Sequence, residues 1–574
     1  MMENKLLSEI IFKLNIERKV FFEILPDQQA VFRGMVELAE SSVTLEIDFS
    51  NYFPLEFPRF RIKNAQRFYP HVDRTGVICL FDDSSLLIKT NEPAQMLLDA
   101  YDRAIEILSI DSSSKEYMVE VAKEFNAYWA EVSKLVLYTN LSPCIGKEYL
   151  HLSVIRAEGK MIVSDTIIDS ECILKNHFGV SLDKKGSINC LLIRLREFII
   201  PPIQEVYTWK WLRNFILKNI TASQKKEFNN LLAVRKKSLH QFLILSVPAE
   251  NHDVVVSFWI HCRSSQYKKV EKMSNCKVTP VMIRPIDYTF LLKRSGGITE
   301  LASKSVLLLG CGSVGGYVAS NLCQSGICNL DILDQDILTE ENVYRHILGF
   351  KEAVKKGYKA DLLKEYLENQ YPFIDIDSLG FIDRSVEAFI QNTERLKGYD
   401  LIVSALGEPT INLEINRILN EKDITTPFIV CFNEPYGIGG HAVAVNLQSG
   451  GCLRCMYTDL ISNELVPFLV SLVAAGQNFK KSLSGCAGAF VEYTALDSQQ
   501  TALLTTRLAM DVLAGRCEKS TILSWFGSSD SLINHGFKVS DYYEHMANQK
   551  SYNSVKESIP INERCPICSK KNLS

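Results

Sequence analysis

The stretch Val306–Asp336, VLLLGCGSVGGYVASNLCQSGICNLDILDQD, decides the fold of this chain. Its apolar opening, Val306-Leu307-Leu308-Leu309, reads as a buried parallel strand. The strand runs into Gly310-Cys311-Gly312-Ser313-Val314-Gly315, and Tyr317 to Leu322 has helical character. Glycines suit this turn because the backbone must bend sharply and approach a phosphate without a Cβ in the way. The following helix aims its free N–H groups and positive dipole end at the same anion. A second strand, Asn329 to Leu333, ends in Asp334, at the spacing where an acid holds a ribose hydroxyl. Gly310, Gly312, Gly315 and Asp334 therefore predict a nucleotide site. On these residues alone the nucleotide can be NAD or ATP.

The residues downstream separate the two. Asp334-Gln335-Asp336 is followed by Glu341-Asn342-Val343-Tyr344-Arg345 and then by Gly357-Tyr358-Lys359-Ala360. An arginine and a lysine beyond a ribose-holding acid suit a triphosphate under attack better than a nicotinamide. The combination of GxGxxG, DxD, NxxR and a helix-opening lysine resembles the ThiF/MoeB and ubiquitin-activating superfamily. That resemblance implies ATP as the nucleotide, magnesium beside it, and adenylation of a carboxylate. It implies that Asp334, with Asp336 next to it, holds the ribose side, while Asn342, Arg345 and Lys359 work on the phosphates.

Bulk properties set the frame. At 574 residues the chain is too long for one core, and 47% apolar with 23% charged residues describes a globular protein. A net charge of −4 leaves no basic footprint, so nucleic acid is not an expected partner. The first residues, MMENKLLSEIIFKLNIER, are broken by charges, which argues against a signal peptide. No run of eighteen apolar residues predicts a membrane span. Sixteen scattered cysteines without an export signal suit a reducing, cytoplasmic setting, where they act as ligands, nucleophiles or core residues.

Three segments are expected: 1–135, 136–285 and 286–574. In the first, Val20–Ile24, Ala30–Met35 and Val43–Ile47 alternate as an antiparallel meander. Asn51–Ile62 follows with Pro54 and Pro58 in an extended turn, then Phe68 to Leu80 carries Tyr69-Pro70-His71 and Gly76-Val77-Ile78-Cys79-Leu80, and a helix begins after Pro93. This order resembles the α+β ubiquitin-conjugating fold. The resemblance puts Cys79 at the thioester-carrying cysteine and His71 where the family has the asparagine that supports the oxyanion. A thioester carrier needs its thiol on an exposed shelf, and a histidine there makes protonation matter.

The middle segment carries no recognisable motif. Leu150–Val154, Gln241–Val247 and Val254–Ile260 read as strands and Trp209–Ile220 as a helix, so it is an α/β domain, with His252, His261 and Cys262 read as structural. In the fusions that this chain resembles, the middle holds an inactive adenylation-like copy that helps form a dimer. Arg284 and Arg294 stand roughly where the superfamily places an arginine reaching a partner subunit's site.

In the last segment the strand Asp400–Ser404 ends in Ala405-Leu406-Gly407-Glu408-Pro409, without the aspartate that many relatives use for magnesium; Glu408 is the nearest acid. Phe428–Phe432 reads as a further buried strand with Cys431 in the core. Cys452-Leu453-Arg454-Cys455 and Cys565-Pro566-Ile567-Cys568 are two CxxC knuckles that together complete a closed structural zinc site. Between them Ser484-Gly485-Cys486-Ala487-Gly488 sets a cysteine among glycines, ahead of a helix from Ser498 to Leu513. By resemblance Cys486 is the first acyl-accepting nucleophile. The polar stretch Ser551–Glu563 reads as a loop.

Together these predict an α/β multidomain chain: a ubiquitin-conjugating-like fold, an α/β middle, and a Rossmann-like ThiF adenylation domain with structural zinc. The arrangement resembles the fused activating and conjugating enzymes of bacterial anti-phage operons of the CBASS type. That resemblance implies ATP-dependent activation of a protein C-terminus, thioesters at Cys486 and then Cys79, and transfer to a target amine. It also implies a cGAS-like nucleotidyltransferase as substrate and a homodimer. Two other enzymes share parts of the pattern, a sulfur-carrier-protein adenylyltransferase and an NAD-dependent oxidoreductase, and a third reading is a scaffold whose conjugating fold is inactive.

Overall fold

The computed structural model describes residues 4–25, 30–38, 41–63, 68–81, 89–141, 147–203, 206–232, 238–250, 253–263, 276–378, 385–459, 461–482, 489–547 and 553–569. The chain divides into two compact units, Met1–Asp287 and Tyr288–Ser574. No described helix is long and apolar enough to cross a membrane.

In the first unit, β1 (Phe21–Ile24), β2 (Val31–Glu37), β3 (Ser42–Asp48) and β4 (Arg59–Lys63) form an antiparallel sheet in sequence order. The helix α1 (Asn4–Arg18), which the sequence reading left without a structural role, brings Leu7, Ile10, Ile11 and Leu14 into the core of that sheet. Their spacing of three and four is the helical stripe. The helix α2 (Pro93–Leu108) adds Leu97, Leu98, Ala100, Tyr101 and Ala104 to the same core, and Arg18 grips Asp102 with two nitrogens at 2.7 Å each.

A longer helix, α3 (Lys115–Val132), is capped by the Ser114 hydroxyl. Its Val121, Phe125 and Trp129 pack on the second sheet of this unit, and the Trp129 indole donates to the Val281 carbonyl at 3.0 Å. That sheet is built from β5 (Leu135–Asn140), β6 (Tyr149–Ala157), β7 (Lys160–Ser164), β8 (Gly186–Arg194), β9 (Tyr207–Thr208), β10 (Ser238–Val247), β11 (Val254–Arg263) and β12 (Cys276–Pro285). Its order is β11-β10-β8-β6-β7-β5-β12-β9. The first half of β12 pairs with β11 and its second half with β5, so the order returns on itself. The helix Trp209–Asn219 lies where the sequence puts it. His252 and the Cys262 side chain fall outside the described residues.

The second unit is a doubly wound sheet. Its strands are β13 (Ser305–Leu309), β14 (Asn329–Leu333), β15 (Asp375–Ser378), β16 (Leu401–Ser404), β17 (Phe428–Asn433) and β18 (Gly439–Val445), with β19 (Lys480–Ser482) and β20 (Ala489–Val491) forming a separate hairpin, then β21 (Thr521–Phe526) and β22 (Ser554–Ser558). The order β15-β14-β13-β16-β17-β18-β21-β22 is parallel through β17 and antiparallel beyond it. Val306 and Leu308 enter the core on one face and Leu307 and Leu309 the core on the other. A strand covered on both faces has no polar side, which is why it reads as an unbroken apolar run. The helix Ala495–Leu513, held by a Thr494–Asp497 capping box, packs on the helix Ser313–Gln324 and on β17 and β18.

One expectation needs correction. Ser551–Glu563 is not all loop, because Ser554–Ser558 forms β22 and pairs antiparallel with β21. Its side chains are half-buried or exposed throughout, so an edge strand without an apolar side escaped a hydrophobicity reading.

Candidate active site

The order of the strands reverses at β13, with β14 on one side and β16 on the other. Such a reversal opens a crevice beyond the carboxyl ends of the strands. A cavity of about 850 Å³ lies there, lined by Gly310, Gly312 and Ser313 after β13, by Asp334 and Asp336 after β14, and by Glu408 after β16. Asn342, Arg345, Lys359 and Tyr493 complete its polar wall, so every nucleotide-site residue expected from the sequence except Gly315 lines the one cavity.

The glycines divide the work. Gly310 is left-handed at φ +88, where a side chain strains the backbone. A Cβ on Gly315 would stand 1.9 Å from the Gly310 carbonyl oxygen, so this glycine lets the helix start close against the strand. Gly312 is different. Its φ is −76, and a Cβ there meets nothing within 4 Å. Only what enters the cavity would feel it.

Asp334 is buried, and its two oxygens accept from the backbone N–H of Cys311 at 2.6 Å and of Asp336 at 2.8 Å. It thus fixes the glycine turn and keeps lone pairs free for a hydroxyl. Burial raises its pKa, against the opposing pull of Lys359 and the two backbone donors. Lys359 opens the helix Lys359–Gln370 and rests its ammonium on the exposed Asp336 carboxylate at 2.7 Å. Arg345 lies with its guanidinium carbon 5.6 Å from the Tyr493 ring centre and makes no ion pair among the described residues. The Tyr493 hydroxyl is 3.0 Å from that of Ser313 at the start of the helix. Asn342 donates its amide to the Thr339 hydroxyl at 2.7 Å.

His346, one residue past Arg345, was not singled out in the sequence. Its Nδ1 accepts from the Leu348 N–H at 3.0 Å, so the ring proton sits on Nε2 and is donated to the Cys311 carbonyl at 2.6 Å. Burial holds its pKa down to about 4, which keeps it a neutral strut under the glycine loop. Glu434 was also missed. This buried carboxylate on the cavity wall accepts from the Ser471 hydroxyl, the Leu472 N–H and His441. Glu387 and Glu408 line the same cavity.

The family comparisons fit this geometry. A model described as ThiF family matches residues 288–503, and one described as Prokaryotic E2 family B matches residues 25–138. This chain joins a ThiF family domain to a prokaryotic E2 family B domain. Among curated relatives, the "ATP-dependent ubiquitin transferase-like protein Cap2" of Escherichia coli strain TW11681 is 21% identical over 549 residues, covering 88% of this chain and 86% of that one. The protein of the same name from Pseudomonas aeruginosa is 26% identical over 310 residues, which span 53% of this chain and only 52% of the relative. That of Vibrio cholerae is 24% identical over 503 residues, covering 78% and 81%. Among solved structures, Escherichia coli MccB with ATP aligns at a TM-score of 0.32 and 16% identity over 47% of this chain and 68% of that one.

In the E2 domain the Cys79 side chain is exposed. Its backbone N–H donates to the His71 carbonyl at 2.7 Å, next to the Val72–Ile78 bridge. His71 is left-handed at φ +60. Its ring does not face solvent freely, since Nδ1 is 2.5 Å from Glu124 and Nε2 3.2 Å from Glu120, both on α3. Neither glutamate was a sequence candidate.

In the ThiF domain Cys452, Cys455, Cys565 and Cys568 are buried, with all four sulfurs within 4.8 Å of one another. Neighbouring sulfurs stand 4.0, 3.7 and 3.5 Å apart. Four thiols gathered this closely without a disulfide form a donor set compatible with zinc. Cys486 lies outside the described residues; the hairpin β19–β20 flanks it on both sides. Cys431 is buried in the core, its pKa raised to about 12 by burial, so it is no nucleophile for the cavity it borders.

Proposed function

We propose that this protein uses ATP to activate the C-terminal carboxylate of a protein and passes the acyl group through two cysteines to an amine. The supporting observation is the cavity that gathers the glycine turn, Asp334, Asn342, Arg345 and Lys359 in a chain that also carries an exposed E2-type cysteine. The ThiF match and the ubiquitin transferase-like relatives support ATP-dependent activation of this kind.

A carboxylate oxygen of the substrate bonds to the α-phosphorus of ATP, the bond to the β-phosphate oxygen breaks, and pyrophosphate leaves. Arg345 and Lys359 stabilise the charge that spreads onto the phosphate oxygens, Lys359 exchanging Asp336 for phosphate. Asp334 orients the ribose from beneath the glycine turn. Magnesium, held by carboxylates of the cavity wall, would neutralise part of the triphosphate charge. The Cys486 thiolate then displaces AMP, Cys79 takes the acyl group by thioester exchange, and an amine displaces Cys79. The four-cysteine cluster would hold zinc in a structural role, tying the C-terminal knuckle to the domain. By resemblance to bacterial anti-phage fusions, the substrate is a cGAS-like nucleotidyltransferase and the protein works as a homodimer.

A non-reducing gel of the purified protein with ATP, magnesium and the protein encoded beside it tests the relay. We expect a thiol-sensitive adduct that is lost in Cys486→Ala and trapped one step earlier in Cys79→Ala. Pyrophosphate release without any adduct would instead identify a sulfur-carrier adenylyltransferase, and NAD binding without pyrophosphate release an oxidoreductase. An adduct and product unchanged in Cys79→Ala would make the E2 domain a scaffold.

A further inference from the structure

The E2 domain departs from its family at His71, and the structure shows what surrounds the substitution. A neutral imidazole has one N–H and one bare lone pair. Here both ring nitrogens face carboxylate oxygens, Nδ1 that of Glu124 at 2.5 Å and Nε2 that of Glu120 at 3.2 Å. A bare lone pair against either carboxylate would be repelled, so this arrangement favours the doubly protonated ring. The second oxygen of Glu124 accepts from the His71 backbone N–H at 2.7 Å and from the Tyr128 hydroxyl at 2.8 Å. The His71 carbonyl in turn accepts the Cys79 N–H at 2.7 Å. One continuous set of hydrogen bonds therefore runs from α3 to the backbone of the cysteine. It also holds a non-glycine residue in a left-handed conformation that costs about 1 kcal/mol.

We propose that Glu120 and Glu124 are positioning residues that keep His71 as an imidazolium beside Cys79, so that this site meets developing negative charge with a fixed cation instead of a neutral amide. The inference rests on the reading of Cys79 as an acyl carrier. Both ring protons are already bonded to carboxylates, so His71 acts through its charge and neither gives nor takes a proton. When an amine attacks, its nitrogen bonds to the thioester carbon and the C–S bond breaks with its electron pair on the Cys79 sulfur. The surplus proton of the amine passes to water. A positive ring nearby favours both the acyl oxyanion and the departing thiolate.

The charged groups facing the ring are Glu120 and Glu124 from α3, with Lys123 paired to Glu120 at 2.6 Å and Tyr128 on Glu124; Cys79, in the same loop, meets His71 through its backbone N–H. Hydrogen bonding to Glu124 raises the His71 pKa against the opposing effect of burial, and Glu120 and Glu124 are lowered by their partners despite their own burial. The sign follows. The histidine's contribution is full below the ordinary histidine pKa and is lost as pH rises through its raised value. The carboxylates' contribution is present above their ordinary range and is lost as pH falls through their lowered values.

The test needs no acyl donor. Alkylation of Cys79 by iodoacetamide in the full chain is followed by mass spectrometry of its peptide from about pH 6 to about pH 9, the range in which a histidine and a thiol titrate. We expect the wild-type rate to climb with pH and then flatten as His71 loses its proton. Glu124→Gln should move that break down by about one pH unit, Glu120→Gln less far, and His71→Asn should remove it and slow alkylation about threefold to tenfold near neutrality. Superimposable profiles in the wild type and all three variants would overturn the proposal. So would a break that His71→Asn removes but neither glutamine variant moves. Far-UV circular dichroism identifies a variant that fails to fold, and either remaining glutamine variant then decides. Conjugation that survives Cys79→Ala would defeat the relay itself, an outcome separate from any alkylation profile.

Discussion

The nucleotide cavity and the Cys79 shelf hold their working side chains in opposite ways. In the cavity the anchors are main-chain groups: Asp334 bonds two backbone N–H groups, and His346 spans a backbone N–H and a backbone carbonyl. At the shelf the anchors are side chains from another element, Glu120 and Glu124 reaching His71 across about fifty residues of sequence. Backbone anchoring in a buried floor is shielded from changes of salt, and of pH above neutrality. Side-chain ion pairs that are about a quarter exposed respond to both. The first arrangement suits a site that must always present the same cradle, the second a site whose charge state can be tuned.

The largest effect that would break this contrast comes from the cavity cations proposed to meet the phosphates. Lys359→Ala should lower ATP–pyrophosphate exchange by about 10²–10³, the scale for losing one charge-stabilising donor. The melting temperature should barely change, because the partner of Lys359, Asp336, is exposed. A large loss of stability would mean that the lysine is structural and the cavity resembles the shelf.

The glycines give the next effect. Gly315→Ala places a Cβ 1.9 Å from the Gly310 oxygen and should destabilise the fold by about 1–3 kcal/mol in denaturant melts. Gly312→Ala meets no atom in the protein, so it should melt like the wild type yet lose ATP affinity by calorimetry. Equal melting of both variants would remove the division of labour between these glycines.

The smallest effect concerns the neutral strut. His346 is held down to about 4 in the folded protein. Its contribution is therefore full above the ordinary histidine pKa and declines as the unfolded chain gains protons below it. Between about pH 8 and about pH 6 the loss should be roughly 1 kcal/mol, and His346→Gln should flatten that slope in melts.

Much of the cavity was legible because its parts are local. The turn, Asp334, Asp336, Asn342, Arg345 and Lys359 fall within fifty residues, and a strand-glycine-helix pattern fixes them on adjacent strand ends. His346 and Glu434 were missed for different reasons. His346 looks like any surface polar residue until the carbonyl of Cys311 is brought over it. Glu434 becomes informative only when β17 sets it at the cavity wall. The glutamates of α3 carry no motif at all, because their spacing of four merely places them on one helical face. Nor does sequence pattern reveal that α1 closes the E2 core or that polar β22 extends a sheet; long-range packing and pairing decided both.

The four-cysteine cluster joins residues 113 positions apart. An ion bound there is present in the folded state and released in the unfolded one, so its free concentration enters the folding equilibrium directly. A hundredfold excess over its dissociation constant adds about 2.7 kcal/mol, and depletion withdraws it. With zinc bound, the supply of metal in the surroundings would become a thermodynamic variable of the second unit, acting on how much of it is folded rather than on the nucleotide cavity.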